Sequence, residues 1–180
     1  MNDFTGSAAP DAADDLAFIP LGGTGEIGMN LNVYRCDGKL LAIDCGIGFG
    51  GPEMPEVEVM VPDPVWLSER RDRLVGLVIT HAHEDHVGAV AHLWPQLRCP
   101  IYAGPFVAAV LRRKLGEAGL NGEAKVITVP LSGSVSLKRV ERISDLVAMS
   151  CLGRSDCSVV ADQAHFDGNL AGRRISVWNN

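Results

Sequence analysis

The chain has 180 residues and no apolar run near the ~20 needed to cross a bilayer, so no transmembrane helix and no membrane partner are expected. Residues Met1 to Asp15 have neither a cationic start nor an apolar stretch, so no secretory signal is read there. No Cys-x-x-Cys pair occurs. The five cysteines (Cys36, Cys45, Cys99, Cys151, Cys157) are odd in number and scattered, which argues against a cysteine-based zinc finger and for a reducing, cytoplasmic setting. Positive charge is in deficit, with 16 Lys and Arg against 22 Asp and Glu. Four of those acids (Asp3, Asp11, Asp14, Asp15) lie in the first fifteen residues with no base, so the rest is nearly neutral. Nucleic-acid binding through bulk positive charge is therefore disfavoured. A grip on a few phosphates at a metal site is not, because bound cations would supply the charge. There is also no internal repeat. What is present is a 47% hydrophobic, 21% charged composition, which excludes a disordered chain and a disulfide-stapled miniprotein. The length suits one domain.

Residues 1–15 read as an acidic tail. Leu16 to Leu21 is a short apolar strand candidate, followed by a glycine-rich turn, Gly22 to Gly28. Asn30 to Cys36 alternates apolar and polar, Asp37-Gly38 is a hairpin turn signal, and Lys39 to Asp44 returns as the partner strand. A glycine- and proline-rich loop runs on to Pro64, and Pro64 to Arg73 suits a short helix. Leu74 to Thr80 is a continuous apolar run, the pattern of a buried strand. Val87 to Trp94 reads as a helix that Pro95 should end or kink. Then come a strand at Ile101 to Ala103, a helix from Pro105 to about Gly119, and a strand at Lys125 to Val129. Alternating strands and helices place the chain in the α/β class.

Gly23 to Gly28 matches GxGxxG, with Asp44 at the distance of a ribose-binding acid. A dinucleotide site also needs a helix directly after the glycines, to hold the pyrophosphate at its N-terminus. Here a period-two pattern and a hairpin signal follow instead, so the segment is read as strand–turn–strand.

The chemistry sits in His81-Ala82-His83-Glu84-Asp85-His86, directly after the buried strand. In extended chain, residues two apart point the same way, so His81 and His83 can converge on one ion. Asp85 and His86 come as the chain turns into the helix and can serve a second ion close by. Imidazole with carboxylate suits Zn²⁺, with Mn²⁺ possible. Glu84 is read as a solvated loop residue and His92 as a helix-face or packing histidine. Asp44, at the end of its strand, fits two readings: an acid that orients the histidine loop, or an ordinary strand-end turn acid.

Strand, HxHxDH and helix together resemble the metallo-β-lactamase fold. PLGGTGEIGMN (Pro20 to Asn30), LLAIDCG (Leu40 to Gly46), VMVPD (Val59 to Asp63) and LVITHAHEDHVGAVAHLW (Leu77 to Trp94) are similar to the N-terminal part of bacterial ribonuclease J. PIYAGPF (Pro100 to Phe106) and KLGEAGL (Lys114 to Leu120) extend that similarity, which covers about Phe18 to Leu137. The resemblance implies a four-layer αββα sandwich, of which residues 16–137 would be the first half. It implies His81 and His83 as ligands of one zinc, and Asp85 and His86 as ligands of the other and members of the catalytic centre. It implies Asp44 as a supporting aspartate. It further implies zinc-dependent hydrolysis of RNA phosphodiesters, from a 5′ end and internally, in a cytoplasmic homo-oligomer.

Members of that family carry further ligands: a His-Ser pair, an aspartate in an HTGD-like stretch and a last histidine. None is visible here, and residues 138–180 resemble nothing in the family. Cys151 stands about where the first missing histidine belongs, and His165 is a second conceivable substitute. We read the change near 137–151 as a break that leaves an unrelated tail. One weakly held ion, weak or no nuclease activity and exposed strand edges are then expected. A non-catalytic remnant and another hydrolase of the same fold, of thioesterase or lactonase type, are the competing readings.

Overall fold

A turn dipeptide and two alternating segments start the sheet. In the computed structural model, which describes residues 17–130 and 176–177, β1 (Ala17–Gly22) pairs antiparallel with β2 (Leu31–Cys36). The hairpin turn places Asp37 and Gly38 at φ of 49° and 70°, the left-handed pair that a tight two-residue loop requires. It returns the chain as β3 (Lys39–Ile43), antiparallel to β2. The glycine loop thus joins two strands, as its sequence pattern indicates, and no helix follows it.

From β3 onward the connections are parallel crossovers. A short helix α1 (Val65–Ser68) leads to β4 (Leu74–Ile79), which pairs parallel with β3. Helices α2 (Glu84–Val87) and α3 (Val90–Leu97) precede β5 (Ile101–Ala103), and α4 (Pro105–Glu117) precedes β6 (Val126–Thr128). A two-residue strand β7 (Ser176–Val177) lies parallel to β1. The strand order is β6-β5-β4-β3-β2-β1-β7, one mixed sheet. Among the described residues there is one sheet, where the resemblance implies two. The expectations for residues 1–15 and for Cys151, Cys157 and His165 lie outside the described residues.

The core lies between one sheet face and the helices. Leu40, Ala42, Leu77 and Ile79 from the strands meet Leu93, Leu97 and Leu111 from α3 and α4. Burying a side chain of this size contributes about 1.5–3 kcal/mol. Leu41, Ile43 and Val78, which alternate with these, are buried too, so β3 and β4 are apolar on both faces. Large exposed apolar side chains fall elsewhere: Ile27 and Phe49 in loops and Phe106 at the start of α4.

Two expectations are corrected. The helix read as Val87 to Trp94 is two helices, separated at Gly88-Ala89, and the second passes through Pro95 to Leu97. Proline here removes a single backbone bond, while buried Leu93, Trp94 and Leu97 anchor the turns on either side. The helix ends instead at Arg98, whose φ of 47° is left-handed. The Trp94 indole N–H then donates to the Cys99 carbonyl at 2.8 Å and fixes the exit. The second correction concerns Glu84, which is not merely solvated. Its carboxylate accepts two bonds from Lys114 Nζ of α4, at 2.7 and 2.9 Å.

Candidate metal centre

Because β3, β4 and β5 run parallel, their C-terminal ends open on one edge of the sheet, where ligand sites of α/β sheets gather. Asp44 follows β3 there, and Thr80 and His81 follow β4. The stretch from His81 to His83, expected to be extended, bends at Ala82; His83, itself in extended conformation, is the N-cap of α2, and the chain turns helical at Glu84. That brings the rings of His81 and His83 to 4.6 Å, and those of His81 and His86 to 3.9 Å. Asp85 Oδ2 stands 3.4 Å from His86 Nε2. His83 is exposed; the other three are half-buried. Among the described residues no group of three or more His, Cys, Asp or Glu side chains is placed to hold a metal ion together, so the cluster is a set of close pairs.

Asp44 lies beneath this cluster and is itself buried. Its φ of 62° is one that aspartate tolerates better than most residues. Oδ1 accepts from the Thr80 backbone N–H at 2.9 Å. The Thr80 hydroxyl is 2.9 and 3.0 Å from the two carboxylate oxygens. Oδ2 is 2.8 Å from His86 Nδ1. The strand-end turn acid reading therefore understates its contacts.

The loop after β3 is tied to α2 along its backbone. Cys45 N–H donates to the His86 carbonyl at 2.8 Å, and Ile47 N–H to the Glu84 carbonyl at 3.0 Å. Gly46 lies between them with no room for a side chain, since a Cβ there would run into the Asp85 carbonyl.

Sequence reasoning missed two residues. Asn30, the last residue of the glycine loop, donates from its backbone and from its side-chain amide to the Asp85 carbonyl, at 3.1 and 2.9 Å. The same amide nitrogen is 3.3 Å from His86 Nε2. The signal was available, because Asn30 closes the GGTGEIGMN stretch, but nothing local says that its side chain turns inward. The other is Thr80, whose hydroxyl also lies 2.9 Å from His81 Nδ1.

These surroundings set the proton affinities. Burial first, and then the neighbouring His86, hold His81 below the usual histidine value. For His86, burial acts in the same direction, but the hydrogen bond to Asp44 and its charge outweigh it and raise the value. Burial pushes the Cys99 thiol up to about 12 and raises the Cys45 thiol as well, which disfavours their thiolate forms. His92 lies exposed on α3, as its helix-face reading supposes.

Comparison with known proteins gives a consistent picture. The sequence model of the metallo-beta-lactamase superfamily matches residues 30–141. A ribonuclease J of Sinorhizobium meliloti is 49% identical over 105 residues, 56% of this chain and 19% of that protein. A ribonuclease J of Synechocystis sp. is 43% identical over 115 residues, 63% of this chain and 18% of that protein. Ribonuclease J 1 of Streptococcus pyogenes is 35% identical over 127 residues, 71% of this chain and 23% of that protein. The chain spans about a fifth of the length of these curated relatives. No helix among the described residues is long and apolar enough to cross a membrane.

Proposed function

The chain belongs to the metallo-beta-lactamase superfamily, a family of metal-dependent hydrolases, and on that premise we propose that residues 81–86 are the metal-binding segment of a ribonuclease J-like nuclease. The observation that carries this reading is the convergence of His81, His83, Asp85 and His86 at the end of β4, with Asp44 bonded beneath His86. In kind, these donors fit Zn²⁺, with Mn²⁺ as the second choice. In number, they divide two to an ion, against three or four in ordinary zinc sites.

In this reading His81 and His83 hold one ion, and Asp85 and His86 hold the other and belong to the catalytic centre. Such ions would supply Lewis acidity there, lowering the pKa of a bound water and stabilising negative charge on a phosphate. The chain's own part is positioning. Asp44 holds the His86 ring from below, Asn30 fixes the Asp85 carbonyl, and Gly46 lets the β3 loop pack against both. Residues 16–137 form the first half of the metallo-β-lactamase-like domain, and 138–180 an atypical tail. RNA is the substrate, in a cytoplasmic and homo-oligomeric setting. With two donors per ion, metal is held weakly or as a single ion, and turnover is weak or absent. A non-catalytic remnant shares those features. A thioesterase or lactonase of the same fold is disfavoured by the 49% identity to a ribonuclease J over 105 residues.

The test is metal content by mass spectrometry together with degradation of 5′-monophosphorylated RNA. At most one zinc per chain is expected, lost in His83→Ala, with little turnover. A chain that takes up no zinc would sink the metal reading. Two tightly held zincs, with turnover abolished by His83→Ala, would overturn the expectation of weak activity.

A further inference from the structure

Thr80 sits between a carboxylate and an imidazole, and counting protons decides how it is used. A threonine hydroxyl has one O–H to donate and two lone pairs that accept, whereas an ionised carboxylate only accepts. Thr80 Oγ1 is 2.9 and 3.0 Å from the two oxygens of Asp44 and 2.9 Å from His81 Nδ1. Thr80 and Asp44 are buried and His81 half-buried, so a mismatched polar contact here is not relieved by solvent. If the hydroxyl proton went to His81, Oγ1 would face two acceptor oxygens with nothing between them. The proton therefore goes to Asp44, and His81 must donate its Nδ1–H to the threonine oxygen.

The same logic applies to His86 without an intermediary. Its Nδ1 is 2.8 Å from Asp44 Oδ2, well inside hydrogen-bond range and closer than the 3.4 Å between Nε2 and Asp85 Oδ2, so Nδ1 carries the proton. The Asn30 amide then finds a lone pair on His86 Nε2, at 3.3 Å. One carboxylate thus faces two histidines, one directly and one through a hydroxyl.

We propose that Thr80 is a positioning residue that relays the Asp44 carboxylate to His81, holding its ring in the Nδ1–H tautomer so that Nε2 presents a lone pair to a cation. The tautomer part stands on the hydrogen bonds alone. Its purpose rests on the metal-binding reading above. The arrangement differs from ordinary support of a ligand histidine, in which each ring has its own acceptor. Here both rings depend on one acid, so a change at Asp44 disturbs both directly, whereas loss of the Thr80 hydroxyl breaks the path to His81 and reaches His86 only by way of Asp44.

Nitrogen-15 NMR of the histidine rings in metal-free protein tests this directly, at a pH where both rings are neutral. Both His81 and His86 are expected as Nδ1–H in the unaltered chain. Thr80→Val should release His81 from that tautomer and leave His86 as Nδ1–H, since its own bond to Asp44 remains, while Thr80→Ser should restore the original spectrum. His81 found as Nε2–H in the unaltered chain would overturn the proposal with no variant needed. So would a Thr80→Val spectrum identical to the unaltered one. Zinc titration by calorimetry is the second arm, with a loss of about 10–100-fold in affinity expected for Thr80→Val and recovery in Thr80→Ser. An altered tautomer with unchanged zinc affinity would leave the relay standing and overturn the reading of His81 as a metal ligand.

Discussion

His83 and His86 are three residues apart and are held in opposite ways. His86 lies over a buried acid, with Asp44 at one ring nitrogen and Asn30 and Asp85 near the other. His83 is exposed at the helix cap and touches the cluster through its ring edge against His81. The difference teaches that a motif read as one unit consists of a fixed side and an open side. On the fixed side the protein sets the geometry in advance; on the open side a bound cation or substrate has to complete it.

The largest test of that contrast is Gly46→Ala. It drives a methyl into the Asp85 carbonyl and should destabilise the chain by about 3 kcal/mol, read from urea unfolding. A neutral result would mean that the fixed side is not rigid. Asp44→Ala comes next. It leaves the Thr80 N–H and the His86 ring without their acceptor and should cost about 2 kcal/mol. Removing Lys114 by Lys114→Ala breaks a partly exposed ion pair with Glu84, and about 0.5 kcal/mol is expected. His83→Ala should change stability by less than about 0.5 kcal/mol, since its exposed ring makes just an edge contact with His81 among the described residues, while zinc affinity falls. A large loss of stability there would erase the distinction between the two sides.

A pH titration sharpens it without mutation. The folded His86 value is raised, so its contribution to stability is complete below the free value near 6.5 and is lost as pH rises through the raised one. His81 is lowered, so its contribution is present above that free value and is lost as pH falls through the lowered one. Ring NMR should therefore show His81 titrating below His86. Asp44→Asn should bring the His86 value down, and the opposite order of the two rings would contradict the hydrogen bonds described.

The regular parts of this picture were legible where one local rule dominates. Asp37-Gly38 demands a left-handed turn, so β2 and β3 followed from it, and the apolar run of β4 announced a buried strand. The helix after the histidine segment was misjudged because proline propensity was weighed without the burial of Trp94 and Leu97 on either side. Within the site, Asp44 was half legible: its place at a strand end was clear, but its partners Thr80 and His86 come from a segment far along the chain. Asn30 and the Glu84–Lys114 pair were not legible for the same reason. Their contacts depend on how irregular loops and a distant helix meet in space, and no spacing rule reports that.

The bonds that assemble the floor of the site join residues 36, 42 and 55 positions apart, from Asp44 to Thr80, Asp44 to His86 and Asn30 to Asp85. That has a bearing on the order in which the chain acquires them. Each contact closes a long loop, and such contacts form slowly compared with local helix turns. Closure entropy rises only with the logarithm of loop length, so lengthening a loop from 36 to 55 residues adds about 0.4 kcal/mol. Once Asp44 has met Thr80, the glycine loop can dock at small extra entropic cost. The seam between β3 and β4 is thus the long-range contact on which the floor of the histidine cluster depends.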